Sequence, residues 1–265
     1  MKKVQTYCKI IVFLIIALAA SAKYDLFAQV LDPSFNPAIS GNYGSAAIAA
    51  QRADGKFVIT GNFNVIGGVH RNFIAAINSD ETVDTTFDAG EFTTNVPQAT
   101  VSIGQVEPQP DGKLIIKGSF THINGVASKN FLRLNPDGSV DPSFNIGQGF
   151  NSSITVFRLL PNGKVLVGGY FTMYNGQSVP PVVRLNADGS LDQSFVPILN
   201  ASPFIQNLIV QPDGKIVVAG DIFSIPTGQF QGIVRLNENG SIDNSFNPGT
   251  GPNNYGSTGN LVETG

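Results

Sequence analysis

Residues 211–220 read QPDGKIVVAG, and this stretch decides the fold. A Pro-Asp-Gly-Lys turn is followed by a short run of β-branched residues and then by glycine. Runs of this kind are typical of strands, and Pro-Asp-Gly favours a type I turn that closes with the glycine in the left-handed conformation. A partner strand, residues 208–211, precedes the turn. The stretch therefore predicts a tight β-hairpin with a bulge at its glycine.

The same hairpin signal occurs four times along the chain. Its turn residue is an aspartate or asparagine, at Asp54, Asp111, Asn162 and Asp213. A second motif ends in phenylalanine, at Phe35, Phe87, Phe144, Phe195 and Phe246. The spacing from each turn residue to the next motif phenylalanine is identical in all four copies, whereas the spacing from that phenylalanine to the next turn varies and is longest between Phe87 and Asp111. The constant segment indicates a packed unit, and the variable one indicates a surface loop that tolerates insertion.

A second hairpin lies inside each constant segment. Residues 131–141 read FLRLNPDGSVD, and this pattern returns at 182–192 and 233–243. The first copy, residues 73–84, departs from it and has Glu81 where the others have glycine. Each repeat thus supplies three strands, and a fourth short strand precedes the phenylalanine. Four antiparallel strands in tandem repeats are typical of propeller blades, whereas the coils of a β-solenoid are usually shorter and lack two hairpin turns.

We therefore predict an all-β chain of tandem four-stranded propeller-type blades, in four repeats of similar length. The repeat domain covers residues 30–265, with repeats at 36–87, 88–144, 145–195 and 196–246 and a partial fifth repeat at 247–265. Residues 31–35 resemble the tail of a further repeat. We expect a piece of a longer propeller with an incomplete ring, and the alternatives are a closed four-blade ring and an open arc with an exposed sheet edge.

The N-terminus predicts export. Three lysines within the first nine residues precede an unbroken apolar run, residues 10–20. That run suits a signal peptide and is short for a bilayer span. We predict a signal peptide at residues 1–29, cleaved after Ala22 or near Ala28 or Gln29, and the alternative is an uncleaved membrane anchor.

Composition narrows the classes of partner. The chain is 42% apolar, which is too high for a disordered protein, and only 13% charged. Its net charge of −3 gives no basic surface for nucleic acid. The only cysteine, Cys8, precedes the apolar run, so it is not placed as a lipoprotein acceptor and the mature chain has no disulfide. No later run is long and apolar enough to span a membrane.

Recurrent charged pairs suggest structural contacts rather than catalysis. Arginine precedes aspartate at one constant spacing in three repeats, which predicts an Arg–Asp contact repeated between blades. The pairs are Arg133 with Asp141, Arg184 with Asp192, and Arg235 with Asp243, while the first repeat has Ala76 in the arginine position. The motif phenylalanines are predicted to be core anchors.

The remaining polar motifs have competing explanations. Residues 135–141 place oxygen-bearing side chains at alternate positions, as a calcium loop does, but the glycine is misplaced for an EF-hand and the bidentate acid is missing. A hairpin turn stabilised by its aspartate is the preferred explanation. His70 and His122 do not occupy equivalent repeat positions, and both are predicted in surface loops. We therefore assign no catalytic, cofactor-binding or metal-binding residue.

The repeat resembles a known family. Residues 211–220, followed by VRLN at 234–237 and GSIDNSF at 240–246, are similar to the delta-60 repeat, and the match covers about residues 31–250. The resemblance implies a β-propeller in exported bacterial proteins and no established activity or site residues.

These observations predict a secreted or surface-exposed, non-enzymatic scaffold that binds a protein or a glycan. The variable segments, especially residues 88–100, are the expected binding region, because a repeat scaffold holds such loops rigidly. The alternatives are a hydrolase or lyase acting on extracellular polysaccharide, and a fragment of a larger adhesin-like chain with further repeats.

Overall fold

The computed structural model describes residues 39–40, 45–128, 130–199, 204–222 and 232–247. The predicted signal peptide, the fragment at 31–35 and residues 248–265 of the partial fifth repeat lie outside these ranges. The described residues form strands, turns and bends, and none of them forms a helix of the length and apolarity that crossing a membrane requires. They divide into two compact units, with the boundary between Val140 and Asp141.

The first unit contains the first two repeats. Its strands in chain order are β1 Ile39–Ser40, β2 Ser45–Gln51, β3 Phe57–Asn62, β4 Val65–Ile66, β5 Val69–His70, β6 Ile74–Ile77, β7 Phe92–Thr93, β8 Ile103–Pro108, β9 Leu114–Gly118, β10 His122–Ile123, β11 Val126–Ala127 and β12 Phe131–Leu134. β8 of the second repeat lies against β2 and β3 of the first.

The second unit contains the third and fourth repeats. Its described strands are β13 Ile154–Leu159, β14 Val165–Gly169, β15 Met173–Tyr174, β16 Gln177–Ser178, β17 Val182–Leu185, β18 Ile205–Val210, β19 Ile216–Gly220 and β20 Ile233–Leu236. β18 lies against β13 and β14, in the same way that β8 lies against β2 and β3.

Every repeat forms the same antiparallel sheet of three strands. The orders are β2-β3-β6, β8-β9-β12, β13-β14-β17 and β18-β19-β20. The predicted fourth strand contributes one bridge to each sheet, at Ile77–Val83, Leu134–Val140, Leu185–Leu191 and Leu236–Ile242. The prediction of an all-β chain of repeated antiparallel sheets is confirmed, with the outermost strand reduced to one bridging residue.

Both predicted hairpin turns have the bulged geometry. In the first repeat Arg52 N–H donates to Lys56 O at 2.8 Å, and Gly55 N–H donates to Arg52 O at 3.0 Å. Gly55 has a φ of 83°, which an L side chain rarely adopts. The second hairpin repeats this geometry, and in the first repeat Glu81 itself takes a φ of 70° in the place of glycine.

Within the described residues, the first three repeats add a small hairpin between their second and third long strands, which was not predicted from the sequence; the equivalent segment of the fourth repeat, residues 223–231, lies outside the described ranges. The pairs are β4 with β5, β10 with β11, and β15 with β16, and each is closed by two residues with positive φ. Asn124-Gly125 and Asn175-Gly176 are the type I′ turn sequence that favours such hairpins. The segment that leads into each repeat pairs with this hairpin: β1 pairs with β4, β7 with β10, and Phe150 bridges to Tyr174.

Each sheet therefore has two different ends. The turn end carries the two bulged turns, and the loop end carries the lead-in segment and, where described, the small hairpin. In each unit one large buried cluster lies between the two neighbouring sheets, and in the first unit Val58, Ile116 and Leu134 pack with Phe87 and Phe120 in that cluster. A smaller cluster around Phe63 lies within the first repeat. Truncating a fully buried phenylalanine such as Phe87 costs about 3–5 kcal/mol in comparable cores.

Candidate functional site

The aspartate that ends the second hairpin gathers the charged groups of its repeat. In the third repeat Asp192 Oδ2 accepts from Lys164 Nζ at 2.8 Å and from Arg184 Nε at 2.6 Å. Its Oδ1 accepts from the backbone N–H of Ser194 at 3.0 Å and from Ser194 Oγ at 2.6 Å. Burial alone would raise the pKa of Asp192, but the bonds from Lys164, Ser194 and Arg184 outweigh it and hold the pKa below its usual range. We call these four residues, and their equivalents in other repeats, the aspartate cluster.

The aspartate cluster recurs in both units. Asp243 Oδ2 accepts from Lys215 at 3.0 Å and from Arg235 at 2.8 Å, and bonds from Ser245 and Lys215 lower its pKa. The lysine had no assigned partner in the sequence analysis, because its aspartate lies 28 residues further on.

In the first repeat Lys56 Nζ donates to Asp84 at 2.8 Å. Burial of Asp84 would raise its pKa, and the bonds from Lys56 and Thr86 lower it overall. A carboxyl group with a lowered pKa stays ionised as an acceptor, whereas a general acid needs a raised pKa. In the first, third and fourth repeats this ionised aspartate joins the lysine after the first turn to the end of the second hairpin.

The predicted Arg–Asp contact forms in the third and fourth repeats, but it lies within a repeat rather than between blades. The reason is the hairpin, because Asp192 N–H donates to Arg184 O at 2.8 Å and places both side chains at the turn end. The contact to the next repeat comes from the far side of the guanidinium, where Arg184 Nη1 donates to Glu238 O at 2.6 Å.

The first repeat makes the same link from a different strand. Ala76 occupies the arginine position, yet Arg52 Nη1 donates to Pro136 O at 3.0 Å. Pro136 of the second repeat and Glu238 of the fourth occupy equivalent positions, so in both cases the acceptor lies in the repeat after the arginine. In the first and third repeats an arginine therefore bonds to the second turn of the next repeat, although a different strand supplies it in each. The bond from an arginine to the second turn of the next repeat is thus present in both units.

Three of the motif phenylalanines are buried, as predicted for core anchors, and a fourth is partly buried. Phe87 is fully buried, Phe144 and Phe195 are each 6% exposed, and Phe246 is half-buried. The guanidinium carbons of Arg184 and Arg235 lie 4.9 Å from the ring centres of Phe195 and Phe246, within the range of a cation–π contact. These rings complete the aspartate cluster and do not form an open platform. Phe35 lies outside the described residues.

The turns at 135–141 and their copies are stabilised by their own side chains. Asp137 Oδ1 accepts from Ser139 N–H at 2.9 Å and from Ser139 Oγ at 2.7 Å, and Asn135 Nδ2 donates to Ser139 Oγ at 2.9 Å. These bonds lower the pKa of Asp137. The preferred explanation, a turn stabilised by its aspartate, is confirmed. In the described parts of the chain, no three His, Cys, Asp or Glu side chains form a group that could hold a metal ion.

The two histidines lie in short strands rather than in loops. His70 ends β5, and its Nε2 lies 3.7 Å from Glu91 Oε1. His122 begins β10, and its Nδ1 lies 2.9 Å from Thr121 Oγ1. Their partners are different, in agreement with their non-equivalent repeat positions.

The longest variable segment forms an anchored, exposed loop at the loop end of the second repeat. Its base is fixed by Phe92, which is 2% exposed and packs edge-on against Phe120 with ring centres 5.1 Å apart. Thr121 Oγ1 donates to Asn95 Oδ1 at 3.1 Å and accepts from Asn95 N–H at 3.0 Å. Residues 95–100 are all exposed beyond this anchor, and Val96 is 52% exposed. A rigid base with exposed side chains is the arrangement that recognition loops use.

A shallow depression of about 400 Å³ lies between the third and fourth repeats. Arg184 and Ser194 line one side of it, and Asn237, Asn239 and Ser241 line the other. Arg184 and Ser194 are both bonded to Asp192 and are not directed at a ligand. We therefore interpret the depression as the groove between two packed repeats rather than as a ligand pocket.

Comparisons with known proteins place the chain in a family and assign no activity. No curated protein matches the sequence. A crystal structure at 1.35 Å resolution of a protein of unknown function from Bacteroides caccae aligns with a TM-score of 0.36 and 14% identity. The alignment covers 74% of this chain and 64% of that one, so this chain spans less than two thirds of that protein's length. The β-propeller family described as domain of unknown function DUF5122 matches residues 52–87, 109–144, 160–195 and 211–246, and the chain belongs to that family.

Proposed function

We propose that this chain is an exported, non-enzymatic repeat scaffold that acts at the cell surface or outside the cell. Its ligand is a protein or a glycan, bound at the loop end of the sheets. Within the family it is of the delta-60 repeat type, on the residues at 211–246 that resemble that repeat. The single observation that carries the binding role is the loop at 95–100, which is exposed throughout and held by a buried phenylalanine and two bonds to Thr121.

Internal comparison supports the same loop. The segment from motif phenylalanine to next turn residue runs from Phe87 to Asp111 here and is shorter in the third and fourth repeats, where it runs from 144 to 162 and from 195 to 213. The packed sheets do not need the additional length, because the shorter segments lead into strands of the same length. Additional exposed length on a fixed scaffold supports a role in recognition.

The export proposal rests on the N-terminal lysines and the apolar run at residues 10–20. It is tested by expressing the full chain with a C-terminal tag in a bacterium and sequencing the N-terminus of the tagged product. A mature product that begins after Ala22, or near residues 28–30, supports export with cleavage. An intact N-terminus in the membrane fraction would favour the uncleaved anchor, and one in the cytoplasm would contradict export.

The binding proposal is tested with a deletion that the chain itself suggests. Removing Asn95–Thr100 shortens the segment between Phe87 and Asp111 to the length that it has in the third and fourth repeats. The mature wild-type protein and the mature deletion variant are each applied to an array of immobilised bacterial polysaccharides and purified extracellular proteins. Val140→Ser is the matched control, because Val140 is 39% exposed but lies at the turn end.

We expect the wild type and Val140→Ser to bind at least one array component and the deletion variant to lose that binding. If the wild type binds nothing, the scaffold function is wrong. If the deletion variant binds as well as the wild type, the assignment to this loop is wrong.

A polysaccharide hydrolase or lyase remains the alternative proposal. The same polysaccharides, incubated with the protein and assayed for new reducing ends, test it directly. Release of reducing ends above a heat-treated control would overturn the non-enzymatic assignment.

A further inference from the structure

The repeats of one chain serve as an internal comparison of equivalent positions. Where packing dictates a side chain, the copies agree, as the motif phenylalanines do. Tyr170 departs from its copies, which are Asn62, Ser119 and Asp221, and Phe204 departs from its copies, which are Ser45, Ser102 and Ser153. Two small polar positions have therefore both become aromatic in the second unit.

The two aromatic side chains form a pair at the loop end. Tyr170 follows β14 of the third repeat, and Phe204 precedes β18 of the fourth. Their ring centres are 4.3 Å apart and their planes are inclined by 21°, which is a stacked arrangement. Tyr170 nevertheless remains 46% exposed, and Phe204 is half-buried.

The scaffold does not require this pair. Tyr170 N–H donates to Ser153 O at 2.9 Å, and the equivalent Ser119 N–H donates to Ser102 O at 2.8 Å. The backbone ladder is therefore the same with a serine as with a tyrosine. Single exposed apolar side chains are common on protein surfaces and need no explanation. A stacked aromatic pair at positions that are polar in the other repeats does need one, and ligand binding is such an explanation.

Two polar residues, Ser153 and Asp221, are the backbone ladder partners of the aromatic pair. Ser153, which is exposed, lies across the ladder from Tyr170, and Asp221 N–H donates to Phe204 O at 2.9 Å. A hexopyranose ring has one face of C–H bonds, which packs against the electron-rich face of an aromatic ring, and a rim of hydroxyl groups, which bond to hydroxyls and carboxylates. The carboxylate of Asp221 disfavours an anionic sugar at this position.

We propose that Phe204 backs one face of the Tyr170 ring and that one hexopyranose ring of a neutral glycan stacks on the opposite face of Tyr170, with Ser153 and Asp221 bonding to its hydroxyls. This inference rests on the proposed function and specifies its glycan ligand. It lies in the second unit, whereas the loop at 95–100 lies in the first, so the two sites can be tested separately.

The test is affinity electrophoresis of the mature protein in native gels containing dextran, laminarin, yeast mannan or galactan. The variants are Tyr170→Asn and Phe204→Ser, which restore residues found at the same positions in other repeats. Val126→Ser is the control, because Val126 is 68% exposed on the small hairpin of the second repeat. Circular dichroism melts of all variants verify folding, and if Tyr170→Asn fails to fold, Phe204→Ser carries the test.

We expect at least one polysaccharide to retard the wild type and Val126→Ser, and the Tyr170→Asn variant to bind about tenfold more weakly. If none of the four polysaccharides retards the wild type, this proposal is overturned, while binding to a protein on the array would leave the scaffold function standing. If Tyr170→Asn is retarded like the wild type, stacking on Tyr170 is overturned, and loss of retardation on deleting Asn95–Thr100 would then place glycan binding at the loop.

Discussion

Two glycines of the first unit provide a matched test of how the second turn of a repeat packs on the segment that follows the preceding motif phenylalanine. Gly55 closes the first turn of the first repeat with a φ of 83°, and Gly138 closes the second turn of the second repeat with a φ of 91°. A Cβ at Gly55 would meet nothing within 4 Å, whereas a Cβ at Gly138 would lie 2.5 Å from the carbonyl carbon of Asp88 in the preceding segment. Alanine at the two positions therefore shares the backbone strain and differs only in the collision.

The magnitudes follow from these contacts. The left-handed conformation costs an L residue roughly 1–2 kcal/mol, which the reduced freedom of the unfolded chain offsets in part, so Gly55→Ala costs roughly 1 kcal/mol. In Gly138→Ala the turn must also move away from Asp88, which breaks the 2.8 Å bond from Asp88 N–H to Asp137 O and the 3.0 Å bond from Arg52 to Pro136 O. Losing one neutral and one charged hydrogen bond raises the total to roughly 3–4 kcal/mol.

Thermal denaturation of the mature chain, followed by circular dichroism, measures the difference. At this chain length 1 kcal/mol lowers Tm by about 2–4 °C, so Gly138→Ala should lower Tm about three times as much as Gly55→Ala. Gly125→Ala is a second control, because its φ is 75° and its Cβ also meets nothing within 4 Å. Equal shifts in Gly55→Ala and Gly138→Ala would refute the docking of this turn on Asp88 as a stabilising contact.

Three further predictions concern the aspartate cluster and the first repeat. Asp192→Asn should lower the unfolding free energy by roughly 3 kcal/mol, because it leaves the buried Arg184 and the partly buried Lys164 without their carboxylate. Asp137→Asn should lower it by less than about 0.5 kcal/mol, because Asn239 already serves in the equivalent turn of the fourth repeat. Urea titration compares the two variants, and similar losses would contradict the role of the cluster. The pKa values of Asp84, Asp192 and Asp243 are lowered in the native state, so these groups give stability that is present above the unfolded pKa of roughly 3.9 and is lost as the pH falls through their native values. Tm should therefore be level above about pH 5 and fall below about pH 4, with a smaller fall in Asp192→Asn. A Tm independent of pH down to about pH 2 would exclude this contribution of the aspartates to stability. Glu81→Gly should raise Tm by roughly 2–4 °C, because it removes the roughly 1 kcal/mol strain of an L residue at a φ of 70°. A lowered Tm in the same melts would mean that the Glu81 side chain makes a stabilising contact.

Local signals in the sequence were sufficient to predict the three long strands of each sheet. The Asp-Gly turns, the β-branched runs and the constant spacing each depend on residues close in the chain, and the structure has the hairpins where they predict them. The small hairpins had an equally local signal at Asn124-Gly125 and Asn175-Gly176. These hairpins were not predicted because their strands are only two residues long, too short for any alternation of polar and apolar side chains to appear.

The contacts between repeats could not be predicted in the same way. Arg52 and Pro136 are 84 residues apart, and nothing near Arg52 indicates that it replaces the arginine missing at position 76. The bond from Lys164 to Asp192 spans 28 residues and depends on both hairpins of a repeat ending at the same side of the sheet. Such pairs follow from the fold, so only the assembled repeats identify them.

Equivalent positions of the four repeats differ in two ways, and the two kinds of difference indicate different roles. The loss of arginine at Ala76 is accompanied by a second change, Arg52, that preserves the bond to the next turn, so the pair of changes keeps the scaffold as it is. The aromatic pair at Tyr170 and Phe204 and the additional length of the lead-in segment at 95–100 leave the backbone ladder unchanged and add exposed surface. Departures of the first kind keep a contact between repeats, whereas departures that the fold neither needs nor opposes are free to serve recognition. Both departures of the second kind lie at the loop end, which is where the binding function should be sought first.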